Sequence, residues 1–121
     1  MRLAIVGSQD RHWSAFDDSV DDARELIMAE IERVQPDIVV TGDADGVDSW
    51  ARQIAEMLKI PIREYKSEGY SWEHFKLRNI KIAEDCDLLL CVRSKRTTTY
   101  GSGWTADYAE KLGVPVKRVV L

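Results

Sequence analysis

Three short stretches hold the residues best suited to chemistry: GSQDRHW (7–13), TGDADGVD (41–48) and RSKRTTTYGSG (93–103). Each joins an apolar, strand-like run to a segment of helical period. Glycines at 7, 42, 46, 101 and 103 permit positive φ and a close approach of backbone to a ligand, and the helices that follow offer unpaired N–H groups at their positive ends. That chemistry is anion binding, above all phosphate binding. Trp13, Trp50, Trp72 and Trp104 fall in the same loops or the first turns after them, so all four are expected at one edge of the molecule. An indole there can stack on a base, and Trp13 and Trp104 are the leading candidates; the alternative is that they fill the top of the core.

The elements that must position these loops follow from periodicity. RLAIVG (2–7), DIVVTG (37–42), PIREY (61–65), DLLLCV (87–92) and VPVKRVVL (114–121) read as strands. Between them, helices are expected from about Ser14 to Val34 (with Phe16 on the apolar face), over 46–60, from an N-cap near Ser71 toward Asp85, and over 105–113, closed by Gly113. Strands alternating with helices require right-handed crossovers and a parallel sheet covered on both faces. The expected fold is one domain, residues 1–121: a Rossmann-like, doubly wound α/β sheet of five parallel strands in the order 3-2-1-4-5. In such folds ligands bind beyond the carboxyl ends of the strands, where the order reverses. This places the loop after strand four opposite the loop after strand one, and explains a glycine-rich turn so late in the chain.

Composition limits the function classes. A length of 121 residues suits a single core, and 45% hydrophobic with 31% charged residues describes an ordinary globular chain. A net charge of −4 argues against extended nucleic-acid binding. No apolar run has membrane-spanning length, and Met1-Arg2-Leu3 leads directly into the first strand, so the expectation is a cytoplasmic protein without signal peptide or membrane partner. Cys86 and Cys91 read as core thiols of a reducing compartment, and His12 and His74 lack partners at metal-ligand spacing, so no metal and no cofactor is expected. Arg93, Lys95 and Arg96 form either a solvated surface or a lid over an anion.

AIVGS, TGDADGVDSWA, LRNIKIAEDCDLLL and YGSGWTADYAEKLGVPV together resemble the SLOG superfamily of Rossmann-like proteins over nearly the whole chain. That superfamily includes the Lonely Guy phosphoribohydrolases, the DNA-processing protein DprA, nucleotide-sensing domains and small stand-alone members, the last being closest in layout. The resemblance implies a nucleotide or phosphorylated nucleoside as ligand and a homo-oligomer. Carried over from the Lonely Guy pattern, the arginine before strand four falls on Arg78. The phosphate loop and acid of that pattern fall on Gly101, Gly103, Trp104 and Asp107. The pattern's threonine is displaced by one, to Thr105, Asp107 is one methylene shorter than the usual glutamate, and Asp43 replaces a glycine of the second motif.

The candidate nucleotide- and phosphate-binding set is therefore Gly7, Ser8, Gly42, Asp43, Gly46, Asn79, Gly101, Ser102, Gly103 and Thr105, with Asp107 and Arg78 as the candidate catalytic pair. Simpler roles exist for several residues: Arg78 and Asn79 on a solvated charged face, Asp107 favouring a helix dipole, and Asp45 and Asp48 as turn and helix cap around Gly46. Nucleotide binding or sensing is the expected function. Cleavage of the N-glycosidic bond of a nucleoside 5′-monophosphate is the alternative, in which a carboxylate stabilises an oxocarbenium-like ribosyl centre.

Overall fold

The computed structural model describes residues 1–121 and contains five parallel strands and four α-helices. Strands β1 (Arg2–Gly7), β2 (Ile38–Gly42), β3 (Ile62–Tyr65), β4 (Leu88–Arg93) and β5 (Val116–Val120) pair in the order β3-β2-β1-β4-β5, as the sequence predicts. Helices α1 (Ser19–Val34) and α2 (Val47–Met57) pack on each other and cover one face, and α3 (Trp72–Glu84) and α4 (Gly101–Lys111) cover the other. No helix is long and apolar enough to cross a membrane.

The strand alternation of side chains builds two cores. Leu3 and Ile5 of β1 point toward Ile27, Ile31 and Ile54 of α1 and α2, whereas Ala4 and Val6 meet Ile82, Ala83, Ala106 and Ala109 of α3 and α4. Val39 and Val40 divide in the same way on β2, as do Leu90 and Leu89 on β4. Small residues on α4 let that helix lie close to β4 and β1. Cys86 and Cys91 are buried and unpaired, and burial pushes both thiols up to about 11, consistent with core packing.

Two helix starts depart from expectation. The first helix begins at Ser19 rather than near Ser14, because Ser14 Oγ accepts the Phe16 N–H (3.0 Å) and Asp17 Oδ1 accepts the Ser19 N–H (3.0 Å). These local bonds offer the backbone an alternative to helix. Phe16, expected on the apolar face, is 99% exposed. The last helix begins at Gly101, four residues before the expected Thr105: Trp104 N–H donates to the Tyr100 carbonyl at 2.7 Å, and Thr105 Oγ1 to the Gly101 carbonyl at 2.9 Å. Ser71 caps α3 as predicted, accepting the His74 N–H, and Gly113, with φ +84°, ends α4.

Candidate functional site

A cavity of about 540 Å³ opens at the carboxyl edge of the sheet, on the α3/α4 side, over the ends of β1 and β2. The even-numbered residues of β1 point to this side, so Val6 and Ser8 form its floor together with Ile82 of α3. Its walls are Trp72, Phe75, Arg78 and Asn79 from α3, and Thr99 to Ser102, Trp104 and Thr105 from the β4–α4 loop and the start of α4. Gln9, Arg11, Ala44 and Asp48 complete it from the β1 and β2 loops.

Of the predicted ligand residues, Gly7, Ser8, Arg78, Asn79, Gly101, Ser102, Trp104 and Thr105 line this one cavity. Gly42, Asp43, Gly46 and Gly103 are not part of the lining. Positive φ, expected to be available at five glycines, is used only at Gly46 (96°), where the chain turns into α2. Gly7 and Gly42 instead supply space. A Cβ on Gly7 would lie 2.1 Å from the Val92 carbonyl oxygen, and one on Gly42 would lie 2.6 Å from Asp48 Oδ2 and 3.4 Å from Arg78 Nε. Gly101 and Gly103 are helical; a Cβ on Gly101 would meet nothing, and one on Gly103 would press on the Tyr100 ring at 3.0 Å.

Ser8 is a clamp. Its hydroxyl accepts the Ser94 N–H at 2.9 Å and is bonded to Thr97 Oγ1, tying the loop after β1 to the loop after β4. The same basic loop is anchored by Arg96 to Asp17 (3.0 Å) and by Arg93 Nη2 to the Thr99 carbonyl (2.9 Å). His12, buried beneath this loop, is held below the usual histidine range by burial and by Arg11 and Arg93 nearby.

At one end of the cavity lies the first turn of α4. Its N-cap residue, Tyr100, makes no side-chain cap bond, and the Gly101, Ser102 and Gly103 N–H groups bond to no backbone carbonyl. These donors and the helix dipole favour an anion there, with the Arg11 guanidinium on the same lining. At the other end, Arg78 Nη1 donates to Asp43 Oδ1 at 2.7 Å and Nε to Asn79 Oδ1 at 3.2 Å, and its guanidinium lies 5.2 Å from the Phe75 ring centre. Asp48, only 5% exposed, faces Arg78 across Gly42. Burial drives its carboxyl up to about 6 against the opposing pull of Arg78, the Ala44 N–H and Arg52. A perturbed acid in a cavity is a mark of a functional site. No three His, Cys, Asp or Glu side chains converge as a metal-binding group.

Two predicted site residues lie elsewhere. Asp107 faces β5, where its carboxylate accepts Arg118 Nη2 at 2.7 Å, and it is absent from the cavity wall. With α4 starting at Gly101, position 107 is turned from α3 toward the sheet edge. Trp13 is buried on the α1/α2 side, donating Nε1–H to the Ser8 carbonyl at 3.1 Å and meeting Trp50 edge to face at 5.4 Å. The four tryptophans thus gather at one edge, but the sheet divides them into two pairs. Trp72 and Trp104 form the other, edge to face at 5.5 Å, and Trp104 stacks on Tyr108 at 5.3 Å with Lys76 Nζ 5.9 Å from its ring centre. Sequence reasoning placed Trp72 at this edge but ranked it behind Trp13 and Trp104, and it missed Phe75 and Tyr100 as cavity aromatics, Arg11 as its cation and Asp48 as its acid. Asp48 had a usable signal: a residue in the first turn of a helix projects back toward the N-terminus, here over the glycine that ends β2.

No family model matches the chain, and no curated protein matches it in sequence. Among solved structures, it is similar to TM1055, a structural-genomics target, with a TM-score of 0.72 and 15% identity over 95% of this chain and 71% of that one. It is also similar to DNA processing protein A (DprA) from Streptococcus pneumoniae, with a TM-score of 0.70 and 17% identity over 96% of this chain and 50% of that one. The chain thus spans half the length of that DprA chain. DprA is one of the proteins named by the sequence resemblance, and the agreement between the two is one of fold. The chain has the Rossmann-like α/β fold of these two structures, with its cavity at the switch point of the sheet.

Proposed function

We propose that the protein binds a nucleotide or another phosphorylated ribosyl compound in this cavity. One observation carries the reading: a single concavity joins the uncapped first turn of α4 to an aromatic wall and to the polar group of Asp48, Arg78 and Asn79. Phosphate suits the free N–H groups of Gly101 to Gly103 and the Arg11 charge. A base suits the half-exposed rings of Tyr100 and Trp72, because Trp104 already has Tyr108 stacked on it. Binding needs no acid in line with a ribosyl carbon. The hydrolase alternative does, and the acid carried over by resemblance, Asp107, is paired with Arg118 outside the cavity.

The test is a titration with ribonucleoside 5′-monophosphates and dinucleotides, following tryptophan fluorescence and release of free base together. The expected result is a saturable fluorescence change, reported by Trp72 and Trp104, with no base released. Asp107→Asn should bind within about twofold of the wild type, since removing a half-exposed ion pair with Arg118 changes stability by about 1 kcal/mol or less. Fluorescence and thermal stability that ignore every compound would overturn the reading. Base release would move the function to the hydrolase.

A further inference from the structure

Asp48, in the first turn of α2, has only part of its carboxylate satisfied by the fold. It is buried in the cavity wall, and a buried carboxylate is unfavourable unless paired. Only its Oδ2 takes a clear bond, from the Ala44 N–H at 3.3 Å. Arg78, which it faces, directs Nη1 to Asp43 and Nε to Asn79. Arg52 directs Nη1 to the Gly42 carbonyl and Nε to Glu64. The Thr41 hydroxyl has one proton, and it goes to the Ile5 carbonyl at 2.6 Å. The other carboxylate oxygen takes no hydrogen bond from the protein and belongs to the cavity lining, where a ligand can supply the donor.

Strand order sets what can reach it. Asp48 lies over the end of β2, and α4 packs over β4 and β1, so the acid and the first turn of α4 are separated by about two strand spacings, roughly 10 Å. With a hydrogen bond at each end, that span matches a ribose 5-phosphate held by its phosphate at α4. A second anionic group at Asp48 would be repelled. A sugar hydroxyl, neutral and carrying one donor proton, satisfies the acceptor.

Building on the nucleotide reading above, we propose that Asp48 accepts a hydrogen bond from a ribose hydroxyl of the bound ligand and makes the site selective for ribonucleotides over their deoxy counterparts. The acid thereby also fixes orientation, with the sugar held at the β2 end and the phosphate at the β4 end. A hydrogen bond from a neutral donor to a carboxylate, desolvated in the cavity, corresponds to a preference of at least tenfold.

The experiment measures dissociation constants for adenosine 5′-monophosphate and its 2′-deoxy and 3′-deoxy analogues, with wild type, Asp48→Ala and Asp48→Asn. The expected result is that at least one deoxy analogue binds the wild type tenfold or more weakly. Asp48→Ala should weaken the ribonucleotide by a similar factor while changing that analogue less than threefold. Asp48→Asn, close to isosteric, keeps the comparison available if the alanine variant is unfolded, and should narrow the preference. Equal binding of all three compounds by the wild type overturns the inference and leaves nucleotide binding intact. So does a preference that survives both substitutions, or one that follows the amino group of the base, tested with inosine 5′-monophosphate. If no compound in the series binds, both this inference and the nucleotide reading fail.

Discussion

Gly7→Ala should destabilise the protein by about 3 kcal/mol or more, at the upper end of what overpacking produces. The added Cβ would lie 2.1 Å from the Val92 carbonyl oxygen and 2.6 Å from Val47 Cγ2. Val92 is the β4 residue paired with Gly7, and its carbonyl accepts the Ser8 N–H at 3.1 Å. A backbone atom in a central ladder cannot rotate aside, so relief requires β1 and β4 to part or α2 to lift at Val47. Either movement also displaces Ser8 and the cavity floor. For a domain stable by only about 5–15 kcal/mol, that is a large fraction of the total. Gly101→Ala is the matched control, because its Cβ meets nothing within 4 Å and the position is helical; stability should be unchanged or rise by less than about 1 kcal/mol. Urea unfolding of the two variants decides the matter, and a Gly7→Ala protein as stable as wild type would contradict the packing described for the β1–β4 seam.

Asp48→Asn should stabilise the free protein above pH 6, by an amount on the order of 2 kcal/mol. Burial raises the Asp48 carboxyl to about 6 in the folded state, whereas the unfolded chain returns it to the ordinary range near 4. Between those values the folded state holds more protons than the unfolded state. Wild-type stability therefore falls as pH rises through that window, and the full penalty is present above it. An amide carries no such penalty and keeps an oxygen for the Ala44 N–H. The difference in melting temperature between variant and wild type should be several degrees at pH 8 and vanish below about pH 4. Taking the difference cancels the other carboxylates, including Asp17, which its bonds to Ser19 and Arg96 hold at about 2. A variant no more stable than wild type at pH 8 would show that the carboxylate is well solvated or paired. Together with the narrowed ribose preference expected of the same substitution, the gain would place Asp48 among residues kept for a site at the expense of the fold.

The sheet was legible because its evidence is local and repeated. Runs such as RLAIVG and DLLLCV are apolar at every position, as strands buried on both faces must be, and the crossover rule then leaves few strand orders. The edge carrying the cavity followed from that order. What was not legible was the phase of individual side chains about that edge. Trp13 and Trp104 are equivalent in a sequence reading, each soon after a strand, yet one lies on the α1/α2 side and the other on the α3/α4 side. Asp107 was carried over by motif, and its position depends on the first residue of α4, which glycines at 101 and 103 made look like a loop. Phe16 fits a helical period that Ser14 and Asp17 interrupt through their own side-chain bonds. Asp48 matched a helix cap, and only the contact between its carboxylate and the space above Gly42 separates that role from a cavity acid.

In the proposed complex the phosphate of a ribonucleotide sits at the first turn of α4, with its sugar toward Asp48. Backbone amide chemical shifts, followed by NMR while adenosine 5′-monophosphate is titrated into the 121-residue chain, test it residue by residue. Saturable shifts are expected at Gly101, Ser102 and Gly103, joined by Arg78, Asn79 and Asp48, with one dissociation constant fitting them all, and no shift at the amino edge of the sheet near Asp37 and Asp87. Saturable shifts confined to other surfaces, or none at Gly101 to Gly103 at saturating nucleotide, would contradict it.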